Sequence, residues 1–316
     1  MKVIYGIGSF KKPIKNTVLV IGVFDGLHVG HQKLIRWAQR RAKEINGKVV
    51  IMTFSPHPIH VLRPEVQLPL IISLPYRLKL LESLDVTACL VVRFTKAFSR
   101  LSPLMFVKKY LVKRISPVEV FVGDDFRFGQ DRGGTLSYFQ ELGRQFGFVV
   151  NGVTPILESN SDDHTKISST HIRELITSGE LNEAQKYLGR RVSLLGKVVK
   201  GDSRGKTLGF PTANIIPGNE VFPPLGVYAV HVQFKKYIFS GMANIGRRPS
   251  FHHKDPQINI EVHIFDFHQT LYDQEIIVEF IKKIREEKFF PSKETLVDRL
   301  KKDEIAARKI LSSFRK

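Results

Sequence analysis

Cysteine is nearly absent. Among 316 residues only Cys89 is a cysteine, which excludes an intramolecular disulfide and any zinc site built on several thiolates. It sits in the apolar run ACLVV (88–92), where a packed thiol in a reducing compartment is expected. No stretch approaches the length of apolar sequence that a membrane-crossing helix needs. The opening MKVIYGIGSFKKPIKN lacks the apolar centre of a signal peptide, so a cytoplasmic location is expected. Acidic residues are also short: 30 Asp plus Glu face 49 Lys plus Arg, a net charge of +19. The surplus is spread evenly, with 26 basic against 16 acidic side chains over residues 1–187 and 23 against 14 over 188–316. No arginine-rich run, zinc module or aromatic RNA-reading strand accompanies it. It therefore reads as a solvated basic surface, and neither a specific nucleic acid nor a membrane is an expected partner.

What is present is enough chain for two domains. In the first part, short β-branched runs alternate with helix-period segments. The runs are VLVIGVF (18–24), VVIMTFS (49–55), CLVVRF (89–94), VEVFVGD (118–124) and FVVNGV (148–153). Helical spacing marks 31–45, 76–84, 103–115 and 135–147, with Ser102 as a cap before Pro103. This alternation predicts a doubly wound parallel sheet of Rossmann-like type, whose ligands bind beyond the carboxyl ends of the strands. After a helical stretch at 172–189 the texture becomes strand upon strand, at 191–199, 226–234, 237–245, 258–265 and 275–284. Lys235 and Lys236 suggest a two-residue hairpin. Only 292–313 looks helical there, with Ser292 as cap. A small antiparallel β-barrel closed by a terminal helix is expected, and the domains should be 1–186 and 187–316.

The most informative segment is IGVFDGLHVGHQKLI (21–35), an apolar strand, a glycine turn, two histidines three residues apart, then a helix. A helix N-terminus offers unpaired N–H groups to phosphate, and imidazole donors at His28 and His31 can stabilise charge on a phosphoryl group. The spacing alone equally suits a metal pair or a chance surface pair. KISSTHIRELI (166–176) can cap a helix while presenting hydroxyls to phosphate, with Lys166 and Arg173 adding charge; an ordinary capped helix has the same pattern. SPHP (55–58) and VGDDFRFG (122–129) each follow a strand and suit turns.

In its strand–turn–helix context, the first segment resembles the His-x-Gly-His signature of the nucleotidyltransferases, and the second their Ile-Ser-Ser-Thr-x-x-Arg signature. With GDDFRFG, KGDSRGKTLGFPTANI (200–215), GVYAV (226–230), ANIGRRPSF (243–251), EVHIFDF (261–267), IREEKFF (284–290) and LKKDEIAARKIL (300–311), essentially the whole chain is similar to the bacterial bifunctional riboflavin kinases and FAD synthetases. That resemblance implies phosphorylation of riboflavin to FMN in the barrel, then adenylylation of FMN to FAD in the N-terminal domain, with ATP as co-substrate and Mg2+ as cofactor. It implies catalytic roles for His28, His31 and Glu261. Nucleotide binding falls to Gly22, Phe24, Asp25, Gly26, Gly30, Asp125, Lys166, Ser168, Ser169, Thr170 and Arg173.

The barrel has no Walker sequence, so its phosphates must be held another way. Gly201, Gly205 and Gly209 free the backbone of a loop and Lys206 can neutralise charge. By resemblance Thr212 and Asn214 supply oxygen ligands to Mg-ATP, which suits a hard cation that keeps several waters. Glu261 in a strand, taken alone, is most often a solvated outward residue. The family pattern instead makes it the base for the ribityl hydroxyl, with His263 on the same strand face. Three positions depart from the pattern: Val23 stands where Asn is frequent, Lys166 where Arg is common, and HQTLYDQ (268–274) replaces a more acidic turn. Lysine binds phosphate as a point charge, so a bidentate contact at 166 is not expected. A single-activity adenylyltransferase with a flavin-binding barrel is the alternative, which PTAN and Glu261 together disfavour.

Overall fold

The computed structural model describes residues 1–10, 13–154, 167–201, 205, 208–248 and 257–313. The chain divides into two compact units, one of Met1–Pro69 with Leu74–Ser169, the other of Leu70–Ser73 with Thr170–Lys316.

The first unit is the expected parallel sheet with helices. Its strands are β1 (Lys2–Tyr5), β2 (Thr17–Ile21), β3 (Lys48–Ser55), β4 (Ala88–Arg93), β5 (Pro117–Gly123) and β6 (Val149–Val153), in the order β1-β4-β3-β2-β5-β6. Every residue of β2 is buried, as befits a central parallel strand covered on both faces. The crossover elements begin with α1 (Val29–Glu44), the short α2 (Pro58–Leu62) and α3 (Leu74–Glu82). Next come the short α4 (Lys96–Ser99), then α5 (Pro103–Phe106), which continues as wider helical turns over Val107–Ile115. Ser102 caps α5 as expected, its Oγ accepting the Met105 N–H at 3.3 Å. α6 (Leu136–Phe146) ends at Gly147 in the left-handed region. The chain leaves β2 toward β3 and β4 on one side, then returns to β5 and β6 on the other. The switch point therefore lies between β2 and β5, whose following loops carry HVGH and GDDFRFG.

The sequence predicts five strands here. The sixth, β1, is four residues long and pairs only with β4 at the sheet edge, too short for periodicity to mark. The helical stretch at 172–189 is two helices, α7 (Ser169–Ser178) and α8 (Leu181–Leu188), because Gly179 turns the chain at φ +87°.

The second unit contains a closed antiparallel barrel. Its strands are β7 (Ser193–Val199), β8 (Ala213–Ile215), β9 (Gly226–Phe234), β10 (Tyr237–Arg248), β11 (Gln257–Ile264) and β12 (Glu275–Arg285), arranged β10-β11-β8-β7-β12-β9. β8 escapes periodicity because it is three residues inside the PTANI motif. Lys235 and Lys236 form the hairpin turn, with Phe234 paired to Tyr237. The terminal helix α9 (Lys293–Ser312) starts at Ser292, which makes a reciprocal capping box with Thr295. Ala307 and Leu311 of α9 pack with Phe210, Ala229, Met242, Phe265 and Ile281 of the barrel.

One polar contact ties α9 to β12. Asp303 is 0% exposed and accepts from Arg285 Nε at 2.8 Å and Arg299 Nε at 2.9 Å. Removing this buried carboxylate leaves the nearly buried Arg285 guanidinium without its ion-pair partner, so Asp303→Asn should lower unfolding stability by about 3 kcal/mol. Urea denaturation followed by a probe in the barrel checks this; an unchanged midpoint would mean that Arg285 finds water when the carboxylate is gone.

Candidate active sites

The loop after β2 is built from backbone positions that few sequences tolerate. Phe24 is left-handed at φ +56°, Gly26 lies at φ +80° and Leu27 at φ +41°. The Phe24 ring is fully buried, and its packing offsets the strain of that conformation. A Cβ on Gly22 would sit 2.9 Å from Phe24 Cζ, so the ring occupies the space that glycine leaves. Asp25, Gly26 and Leu27 are buried in the turn.

His28 then caps α1. Its Nδ1 accepts the His31 N–H at 3.3 Å, which leaves the proton of the neutral ring on Nε2. The two imidazoles stack with centroids 3.6 Å apart and 21° between planes, and Phe24 meets His31 edge-on at 5.2 Å. Val29 and Gly30 form the first turn behind them. Burial holds His31 well below its ordinary pKa, reinforced by His28 and by Arg77. The Ser-Ser-Thr motif reaches the same loop, since Ser169 Oγ donates to the Asp25 carbonyl at 3.0 Å. Ser168 precedes it, Thr170 is exposed and Arg173 is buried within α7. Lys166 lies outside the described residues.

Asp125 sits on the turn after β5, the neighbour of β2. That turn is held by Asp124 N–H to Val153 O at 3.0 Å, Thr154 Oγ1 to Asp124 Oδ2 at 2.9 Å and Phe126 N–H to Gly123 O at 3.1 Å. Two residues that sequence reasoning missed stand beneath the loop. Arg77 of α3 is 2% exposed, and its Nη1 donates to Thr53 Oγ1 at 3.2 Å. Thr53 Oγ1 in turn donates to the Val23 carbonyl at 3.0 Å. A signal existed for Arg77: it lies one helical turn before the buried Leu81, on the apolar face.

In the second unit a cavity of about 920 Å³ opens against the barrel. Asn244, Glu261 and Asn214 are directly paired across β10, β11 and β8, and all three line it. Asn259 Nδ2 donates to Asn214 Oδ1 at 3.2 Å and to Glu261 Oε1 at 3.1 Å, orienting both acceptors. Thr212, Gly205, His263 and Arg285 lie on the same walls. His263 Nδ1 lies 2.8 Å from Pro211 O, which can only accept, so Nδ1 carries the proton. A side chain on Gly201 would overlap Asn214, so the loop backbone passes directly over that amide. Gly209 turns at φ +83°, and Lys206 lies outside the described residues. Asn244, Asn259 and Arg285 were not singled out from sequence. The signal for the asparagines was an amide in an otherwise apolar alternating strand.

The Thr212 hydroxyl, the Asn214 amide oxygen and the Glu261 carboxylate on these walls are hard donors that fit Mg2+ better than a softer metal. Among the described residues no group of three or more His, Cys, Asp or Glu side chains is placed to hold a metal ion.

Because folded His31 titrates below its unfolded value near 6.5, the unfolded chain takes up that proton first. The contribution of this group to stability is complete above about pH 6.5 and falls below it, by up to about 1.4 kcal/mol per pH unit. Urea midpoints measured from pH 7.5 down to 5 should decline, and His31→Gln should flatten part of that decline. Identical slopes in parent and variant would contradict the burial argument.

Comparison with known proteins gives a consistent picture. A family model for FAD synthetase matches residues 10–171 and one for riboflavin kinase matches residues 188–311. A bifunctional riboflavin kinase/FMN adenylyltransferase of Buchnera aphidicola subsp. Schizaphis graminum is 37% identical over 96% of this chain and 96% of that protein. The protein so described from Bacillus subtilis is 36% identical over 97% of this chain and 96% of its own length. A solved structure described as a macrolide-efflux protein from Streptococcus pneumoniae superposes with a TM-score of 0.83 at 32% identity, covering 98% of this chain and 99% of that one. Among the described residues no helix is long and apolar enough to cross a membrane. With both family models matched in series and identity above 30% over nearly the whole length, the chain belongs to the bifunctional riboflavin kinase/FMN adenylyltransferase family.

Proposed function

We propose that this bifunctional enzyme phosphorylates riboflavin to FMN at the Asn214–Glu261–Asn244 row and adenylylates FMN to FAD at the His28–His31 pair, within functional domains 1–186 and 187–316. The positions of the two family matches, 10–171 and 188–311, support that division. The observation that carries the reading is that each unit holds its own constellation: stacked imidazoles at a helix N-terminus in one, a carboxylate set in a polar row beside a roomy cavity in the other.

In the barrel, Glu261 takes the proton from the terminal ribityl hydroxyl as its oxygen bonds to the γ-phosphorus of ATP, and the bond to ADP breaks. Asn259 keeps the Glu261 carboxylate aimed at the cavity. Thr212 and Asn214 would hold Mg2+, which when bound neutralises phosphate charge. Gly201, Gly205 and Gly209 leave backbone open to the phosphates.

In the N-terminal domain a phosphate oxygen of FMN bonds to the α-phosphorus of ATP and pyrophosphate leaves. His28, with its Nε2 proton, and His31 stabilise the charge that develops there. The N-terminus of α1, Gly22, Phe24–Gly26, Gly30, Asp125, Ser168 and Ser169 form the nucleotide site. The small-molecule substrates account for the binding partners. A reducing cytoplasm suits Cys89, whose thiol is buried and pushed up to about 12 by that burial.

His28→Ala or His31→Ala should lower FAD formation by roughly 10² to 10³ while leaving FMN formation intact, as separation of the flavin products would show. Equal loss of both activities in a folded variant would refute separate sites. Glu261→Gln should bind riboflavin and Mg-ATP yet lose kinase turnover by about 10² to 10⁴, since the amide keeps the shape and cannot take the proton. Thr212→Ala should instead raise the Mg2+ needed for half-maximal rate. Near-parent phosphorylation by Glu261→Gln would move the base assignment to His263.

A further inference from the structure

Arg77 is the bulkiest of the side chains buried almost completely among the described residues, and it carries a charge. A guanidinium withdrawn from water is not retained for packing alone, because an apolar side chain of similar volume is commonly as stabilising or more so. Its bonds lead to one place. Nη1 donates to Thr53 Oγ1 at 3.2 Å and to the Phe54 carbonyl at 3.4 Å, and Thr53 Oγ1 donates to the Val23 carbonyl at 3.0 Å. Val23 is the residue before the left-handed Phe24, so this two-bond chain runs from α3 across β3 to the point where the β2 loop begins. Arg77 Nε and His31 Nδ1 are both buried without a hydrogen-bond partner among the described residues, which marks a polar interior beneath this loop rather than an apolar one.

We propose that Arg77 is a positioning residue for adenylyl transfer, acting through Thr53 on the Val23 carbonyl that sets the Phe24–His28 loop. This rests on the reading of His28 and His31 as the adenylyl-transfer pair. The Arg77 charge also acts on His31 directly, alongside the stacked His28, while Asp25 and Cys89 face Arg77 itself. Two effects are thus separable. The hydrogen-bond chain fixes loop geometry, and the charge disfavours a proton on His31.

The test uses full-length Thr53→Val, Arg77→Lys and Arg77→Met, assayed for FAD formation from FMN, FMN formation from riboflavin and thermal unfolding. Thr53→Val keeps the shape and the buried charge while cutting the chain. It should lower kcat for FAD formation about tenfold to a hundredfold, with the KM for ATP within about twofold. Kinase activity should be unchanged in all three. Arg77→Met should match that loss and also move the acid limb of the kcat profile to higher pH, because a charge opposing protonation of His31 is gone. Arg77→Lys should leave the acid limb in place.

A parent-like kcat per folded molecule in Thr53→Val, or loss in Arg77→Met without movement of the acid limb, would overturn the proposal. Should Arg77→Met not fold, the split between kcat and KM in Thr53→Val decides alone. His31→Ala in the same assay separates the two levels: full FAD synthesis there removes the underlying reading, whereas its loss beside an unaffected Thr53→Val removes only the role of Arg77.

Discussion

The Phe24 ring lies against a residue that has no side chain, and the first site depends on that contact. Gly22 leaves room for the ring, the ring's burial offsets the left-handed backbone at Phe24, and the backbone then delivers His28 to the start of α1 as its cap. From there the stacking on His31, the bond from Ser169 to the Asp25 carbonyl and the tie from Thr53 to Val23 all converge on the six consecutive residues 23–28. The loop hangs at the C-terminal end of a strand buried on both faces, so little freedom is left to its root. In the proposed adenylyl-transfer role, imidazoles placed this way need no reorganisation when charge develops in front of them.

The barrel reaches a comparable rigidity by different means. Its polar residues are carried on strands rather than on a loop, and cross-strand pairing brings Asn244, Glu261 and Asn214 into one row. Asn259, two residues before Glu261, bonds to two members of that row. Arg285 at the end of β12 is fixed from behind by Asp303 of α9, so the terminal helix belongs to the wall of the cavity as well as to the core. Under the proposed assignment, phosphate chemistry falls to a helix N-terminus in one unit and to a polar strand row in the other.

The parts legible in sequence were those with a repeated signal. VLVIGVF reads as a buried strand because every residue is apolar and most are β-branched, and the alternation of such runs with helical spacing led directly to a parallel sheet. Short elements carried no repeat: β1 and β8 hold four and three residues, and neither was found. His28, His31, Ser169, Asn214 and Glu261 were legible through motifs, and the structure sets the first three around one loop and the last two side by side. Arg77, Thr53, Asn259 and Asp303 were not, because a polar group that supports another works through burial and register. Neither is visible until strands are paired and helices are rotated into place.

The central claim is that two complete and separable sites operate in succession on one chain. A mixture of two variants tests it most directly: His31→Ala, which retains the barrel site, and Glu261→Gln, which retains the other, incubated together with riboflavin, ATP and Mg2+. Each alone should fail to make FAD from riboflavin, the first stopping at FMN and the second at riboflavin. Together they should make FAD, since FMN released by one is adenylylated by the other when supplied at concentrations the second site can bind. Absence of FAD from the mixture, in the presence of accumulated FMN that the Glu261→Gln protein also fails to convert when FMN is added directly, would contradict the account.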